Sequence, residues 1–227
     1  MFWTGQSRDR ESAGKHVSDT AFGRMTEVKR NSLVGAAAEE FAAHPFDQAS
    51  LNRIITSCRM SKSSFYYVVD SKESLLTLVV DELRKRAAED WAPPVPADFA
   101  ADFWETAASV FDDALHVWPT SRALELLWRI VHANRGNTAV RSLADSYSDW
   151  IAEVVATGRK AGAVDEQCPV QLQVVTVSSL LLAFDEWALH NVAAADPDDQ
   201  GLSSEGSDGF RIAAEHQFRL LRRLLEA

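Results

Sequence analysis

Residues 50–76 read SLNRIITSCRMSKSSFYYVVDSKESLL. Ser50 is a good helix N-cap, and Leu51, Ile54 and Ile55 follow at i, i+3, i+4 spacing, which predicts a very short helix over about 51–57. Ser61 caps a second, in which Lys62 to Tyr67 complete little more than one and a half turns before the β-branched pair Val68-Val69. Asp70-Ser71 opens a longer helix, roughly 72–91, with Leu75, Leu78, Val79, Leu83 and Ala87 on one face. Helices of six or seven residues are not stable alone, so packing must hold the first two, through Leu51, Ile54, Ile55, Met60 and Phe65. The outward face of the second then presents Lys62, Ser63, Ser64, Tyr66 and Tyr67. A cation, two hydroxyls and two phenols in one row can meet phosphate oxygens and base edges. This is helix-turn-helix chemistry.

Working outward, Thr26 begins a helix in which Leu33, Val34, Ala37, Ala38 and Phe41 recur at helical spacing, and Pro45 stops it. Residues 1–23 mix Gly, Ser and both signs of charge without periodicity and read as a mobile tail. APPVPA at 92–97 ends the helix that follows the short pair. Beyond it every segment reads as helix, over 98–116, 120–134, 138–161, 169–192 and 208–226, with breaks at Pro119, Gly136, Gly162 and Pro169. The acidic, Gly/Ser-rich stretch from Ala195 to Gly209 reads as a solvated loop. The predicted fold class is all-α.

The 227 residues suffice for one medium domain or two small ones. Apolar residues at 46% and charged residues at 25% exclude disorder throughout, and no window reaches the ~20 apolar residues of a spanning helix. With no signal-peptide pattern at its N-terminus, the chain is expected in the cytoplasm. Cys58 and Cys168 form no CxxC pair, and the six histidines, His132 and His190 among them, show no metal-binding spacing, so neither metal nor cofactor is expected. Asp112-Asp113 lacks a third partner and reads as an exposed acidic face. No catalytic signature such as GxSxG or a P-loop occurs, which points away from an enzyme. Residues 1–90 carry 13 Lys+Arg and 13 Asp+Glu, so the whole net charge of −10 resides in residues 91–227. Against that acidity, Arg53, Arg59, Lys62 and Lys72 face only Asp70 within residues 48–72, a small local surplus suited to docking on nucleic acid at one place.

The stretch quoted first resembles the DNA-binding signature of the tetracycline-repressor (TetR) family of bacterial transcriptional regulators, over about residues 26–76, most specifically in Ser61-Lys62 with Tyr66 and in Ser71-Lys72-Glu73. The resemblance implies an N-terminal three-helix head at 24–72, followed by a larger helical ligand-binding and dimerisation domain at 73–227. It further implies that Ser50 and Lys72 touch phosphates, that Lys62, Ser63 and Ser64 face the major groove, and that Tyr66 and Tyr67 contact backbone or bases. Ser61 and Arg59 complete the expected DNA-binding set. Arg59 stands where the family usually has glycine, at a cost of about 1 kcal/mol if the turn needs positive φ, which a phosphate contact would offset.

Five of the seven tryptophans, Trp104, Trp118, Trp128, Trp150 and Trp187, lie beyond the proline-rich stretch at 92–97 with Phe103, Phe111, Tyr147 and Phe184. Such rings are ordinarily core, and they also suit a cavity for a flat or lipophilic molecule. The expected ligand-binding set is Trp104, Phe111, Trp128, Tyr147, Trp150, Val177, Leu181 and Phe184. Asp185-Glu186, in an otherwise apolar helix, would need a partner if buried: a cationic ligand, or Arg129, Arg141 or His132. The last two helices are expected to form a two-fold interface through Leu181, Phe210, Phe218, Leu221 and Leu225. The function these readings imply is a ligand-responsive repressor that binds a partly palindromic operator as a homodimer. The rival readings are a small-molecule-binding helical enzyme and an interaction module of the same fold without DNA binding.

Overall fold

The computed structural model describes residues 19–118, 120–192 and 204–226, and side chains over the same residues except 19–20, 185, 188–192 and 204–210. Pro119, the first 18 residues and 193–203 lie outside the described residues, and so do the side chains of Asp185, His190 and Phe210. Ten α-helices occur among them: α1 (Asp19–Gly23), α2 (Glu27–Ala43), α3 (Leu51–Ser57), α4 (Lys62–Val68), α5 (Lys72–Asp90), α6 (Phe103–Val117), α7 (Arg122–Ala133), α8 (Thr138–Lys160), α9 (Val170–Val192) and α10 (Ser204–Leu225). A 3-10 turn (Pro96–Ala100) precedes α6. The fold is all-α, as the periodicity predicts; a single isolated bridge, Val164 with Glu226, is its one sheet-like contact among the described residues.

Two expectations are corrected here. Residues 19–23 are helical rather than part of a mobile tail, because Ala21 and Phe22 are buried and α1 lies against α4. At the other end α10 begins at Ser204, so the helix takes in 204–209, which composition assigned to a loop.

Packing divides the chain into two units. The first holds the described residues through Glu89 together with Ala123–Ala144; the second holds Asp90–Arg122 and Asp145 onward. By packing, α5 as far as Glu89 and the residues Ala123–Ala144 fall in the same unit as the short helices. Leu33, Val34, Ala37, Ala38 and Phe41 of α2 and Ile54, Phe65, Leu75, Leu76 and Val79 of the following helices are all fully enclosed. Amphipathic α7 contributes the buried Leu124, Leu127, Ile130 and Val131.

The core of the second unit is built from Phe99, Phe103, Ile151, Val155, Val164, Val177, Leu221 and Leu225. Gly158 is required there, since a Cβ on it would lie 2.5 Å from the Phe103 ring and 2.6 Å from Val164. After α8 the chain turns through Gly162 at φ +73°. Arg159 then gathers the following loop, donating to the carbonyls of Asp165 (2.9 Å), Glu166 (2.8 Å) and Cys168 (2.8 Å) and to Gln173 Oε1 (2.6 Å). The Asp165 N–H donates to the Leu225 carbonyl at 2.8 Å, which ties this loop to the end of α10.

Candidate nucleic-acid interface and ligand cavity

The head presents its outward row because every other face of the short helices is anchored. Ser50 caps α3, accepting from the Arg53 N–H at 3.4 Å, while its own N–H donates to Glu40 Oε1 at 2.7 Å. The Glu40 carboxylate is 9% exposed and accepts from Arg53 Nε at 2.9 and 3.0 Å. The Arg53 hydrogen bond, helped by the Ser50 N–H, holds the Glu40 carboxyl below its ordinary pKa against the opposing effect of burial. Arg53 is thus committed to holding the entry of α3, and Nη2 also donates to the Gln48 carbonyl at 3.0 Å.

The turn between the short helices runs through Arg59 at φ 54°, the one left-handed non-glycine residue among those described. The expectation of positive φ at this position is met, and a non-glycine residue there costs on the order of 1 kcal/mol. Ser61 then caps α4, accepting from the Ser64 N–H at 3.2 Å, with its hydroxyl also 2.8 Å from Ser64 Oγ and 3.1 Å from Ser63 Oγ. Phe65 and Val68 point inward, Phe65 fully enclosed. Lys62, Ser63, Ser64, Tyr66 and Tyr67 are exposed, the two phenols at 53% and 69%. Lys62 and Arg59 make no ion pair among the described residues, so both charges stand open beside the recognition row.

Lys72 is the first residue of α5. It is half-buried, donates to the Ala49 carbonyl at 3.1 Å, and lies 4.6 Å from the centroid of the Phe46 ring. Its charge is applied to the α2–α3 loop, a cation–π contact that fixes the loop from the side of α5. Ser71 caps α5 reciprocally with Ser74, each hydroxyl accepting the other's N–H at 3.0 Å.

The second unit encloses a cavity of about 80 Å³ lined by apolar side chains of the 3-10 turn, α6, α8, α9 and α10. Trp104, Phe111, Trp150, Val177 and Leu181 of the expected ligand set line it. Three others do not. Tyr147 stacks on Trp150 at 6.2 Å, Phe184 stacks on Trp187 at 5.9 Å, and Trp128 belongs to α7 in the head unit, 6.2 Å from the His132 ring. Sequence reading missed Phe99, Phe103, Ile151 and Val155, whose spacing on α6 and α8 marks them only as core.

Four of the residues expected at a two-fold interface also line this cavity: Leu181, Phe218, Leu221 and Leu225, the last two 5% exposed. One residue along a helix is a turn of about 100°, so the neighbours of these side chains face outward. The outward stripe of α10 is Ile212, Leu220 and Leu224, at 47–51% exposure, and α9 exposes Leu172 and Val175. The cation expected over a tryptophan is the chain's own: the Arg222 guanidinium lies 5.5 Å above Trp104 and pairs with Glu226 at 2.8 Å. Trp150 turns its indole N–H away to the Pro94 carbonyl at 3.1 Å, and Glu186 is exposed. No carboxylate lines the cavity.

Residues 33–79, which span α3, α4 and the anchoring halves of α2 and α5, match the family model of bacterial regulatory proteins of the tetR family. These residues therefore carry the DNA-binding region that defines the tetR family of bacterial regulatory proteins. Among curated proteins, the HTH-type transcriptional regulator UidR of Escherichia coli K12 is 24% identical over 168 residues, covering 74% of this chain and 83% of UidR. Among solved structures, a TetR-family transcriptional regulator from Chloroflexus aurantiacus aligns over 92% of this chain and 98% of its own, with a TM-score of 0.67 at 15% identity. NalD of Pseudomonas aeruginosa, the secondary repressor of the MexAB-OprM multidrug efflux pump, covers 89% of this chain and 98% of its own, with a TM-score of 0.56 at 15% identity. The TetR fold thus extends beyond the head into the helical second unit. No helix among the described residues is long and apolar enough to cross a membrane.

Proposed function

We propose that this chain is a ligand-responsive repressor of the TetR family that binds a partly palindromic operator as a homodimer through α4. The observation that carries the reading is the open row Lys62, Ser63, Ser64, Tyr66 and Tyr67 on a helix whose opposite face is sealed by Phe65 and Val68. A seven-residue recognition helix spans few base pairs, so selectivity calls for two heads one helical turn, roughly 34 Å, or a multiple of it apart. The outward stripe on α9 and α10 supplies the surface for a second copy. Replacing Lys62 by Ala is expected to weaken operator binding and to lower the slope of log affinity against log salt by ~1. Titrations at several salt concentrations check this, and an unchanged slope would remove Lys62 from the phosphate contacts.

The cavity supports an uncharged lipophilic effector. Its lining offers no polar anchor, and a charged group there would lose hydration without compensation. Its size is about half the ~150 Å³ of a dry cavity that takes up benzene, so a small apolar ring would enter only as the lining side chains give way. A ligand that binds one conformer of the dimer better than the other shifts the spacing of the heads and releases the operator by differential affinity. Toluene is expected to change the fluorescence of Trp104 and Trp150, and the similarly sized benzylammonium and benzoate ions are not. Equal responses to all three would contradict an apolar site.

A further inference from the structure

We infer that Asn134, at the end of α7, is a positioning residue for operator recognition, acting through the α2–α3 loop that sets the entry of the helix-turn-helix. The assignment rests on the operator-binding reading above. Its origin lies in Pro45. In a continuing helix the carbonyl of Phe41 would accept from the N–H of residue 45, and proline has none. The Asn134 side chain supplies that donor from 93 residues away: Nδ2 lies 3.4 Å from the Phe41 carbonyl and 2.8 Å from the carbonyl of Ile130 in its own helix. Oδ1 in turn accepts from the Phe46 N–H at 2.6 Å. Both amide hydrogens and the oxygen are engaged, and Asn134 is only 5% exposed.

What Asn134 holds is the loop on which α3 is hung. Phe46 stacks on Phe41 with ring centroids 6.3 Å apart and carries the Lys72 ammonium on its ring. Two residues further, the Gln48 carbonyl receives Arg53, the Ala49 carbonyl receives Lys72, and the Ser50 N–H reaches Glu40. Every one of these bonds fixes where Ser50 stands, and Ser50 begins α3. Asn134 anchors this loop from outside the residues matched by the family model and outside the adjoining α2. A buried amide satisfied at both ends is lost at full cost when truncated, because the Phe46 N–H and the Phe41 carbonyl are left without partners. The helix α7 that carries it is joined at Arg122 and again beyond Ala144 to segments of the second unit. Asn134 is therefore placed to pass a displacement of α7 to the DNA-reading helices.

The test uses the full chain with Asn134→Ala and Asn134→Asp, the second of which keeps an acceptor for Phe46 and loses the donors. Asn134→Ala is expected to speed hydrogen exchange at the Phe46 amide and to weaken operator affinity, each by about tenfold. The slope of log affinity against log salt should stay at the wild-type value, because no phosphate contact is removed. Asn134→Asp keeps an acceptor but turns a carboxylate on the Phe41 and Ile130 carbonyls, so it should lose at least as much affinity as Asn134→Ala, and either variant serves alone if the other does not fold. The assignment is overturned if Asn134→Ala keeps wild-type affinity, if affinity falls with Phe46 exchange unchanged, or if the salt slope drops by ~1 as for a direct contact. It is likewise overturned if Asn134→Asp keeps wild-type affinity. Failure of the wild-type chain to bind any duplex would overturn the operator reading itself, a result distinct from wild-type binding that is indifferent to Asn134.

Discussion

Phe65→Ala is expected to abolish operator binding by dismantling the head. Phe65 is fully enclosed, and with Val68 it forms the buried face of a seven-residue helix. Truncating an enclosed phenylalanine costs roughly 3–5 kcal/mol, a large share of the ~5–15 kcal/mol that holds a typical domain folded. The neighbouring Tyr66→Ala removes a ring that is half exposed, so its effect on stability should stay within about 0.5 kcal/mol while operator affinity falls. Urea unfolding and operator titration on both variants separate the two roles. A Phe65→Ala chain with wild-type unfolding midpoint and affinity would mean that α4 is not held by this contact.

The second large effect concerns assembly. Leu220 and Leu224 are half exposed on the outward stripe of α10, whereas Leu221, one position on, faces the cavity. The double variant Leu220→Glu with Leu224→Glu is expected to yield folded monomers at micromolar concentration. Operator affinity should then fall by about 10²–10⁴, the usual worth of tethering two heads. Leu221→Glu should instead destabilise the second unit, because it buries a carboxylate among Phe218, Trp104 and Leu225. Light scattering and thermal unfolding read both outcomes together. A dimer mass for the double variant, or a stable monomer from Leu221→Glu, would reverse the assignment of the two faces.

The sequence was most legible where structure is decided locally. Ser50 and Ser61 are N-caps with side-chain hydrogen bonds to Arg53 and Ser64, as their place before each apolar run predicts, and the bounds 51–57 for α3 agree with the structure. The positive φ at Arg59 was readable from the resemblance alone, because it is a property of the turn rather than of arginine. Legibility failed where a residue's role depends on a distant one. Phe22 looks like a stray aromatic in a polar tail until α4 covers it. On α10 both faces are apolar, so periodicity could not say whether Leu220 or Leu221 faces inward. Asn134 gives no local sign at all, since its partners are set by a missing N–H at Pro45. Glu40 is similar: an acidic residue on an amphipathic helix reads as surface, and only Arg53 and the Ser50 N–H explain its burial.

The central claim is that two copies of α4 read one duplex in a sequence-selective way. Selection of bound duplexes from a random library at moderate salt, with the full wild-type chain, tests it most directly. The account predicts enrichment of a motif with two related half-sites whose centres lie about 10 base pairs, or a multiple of that, apart. Enrichment should be lost for Lys62→Ala combined with Tyr66→Ala. A library returned without any enriched motif, or with a motif that the double variant selects equally well, would contradict it.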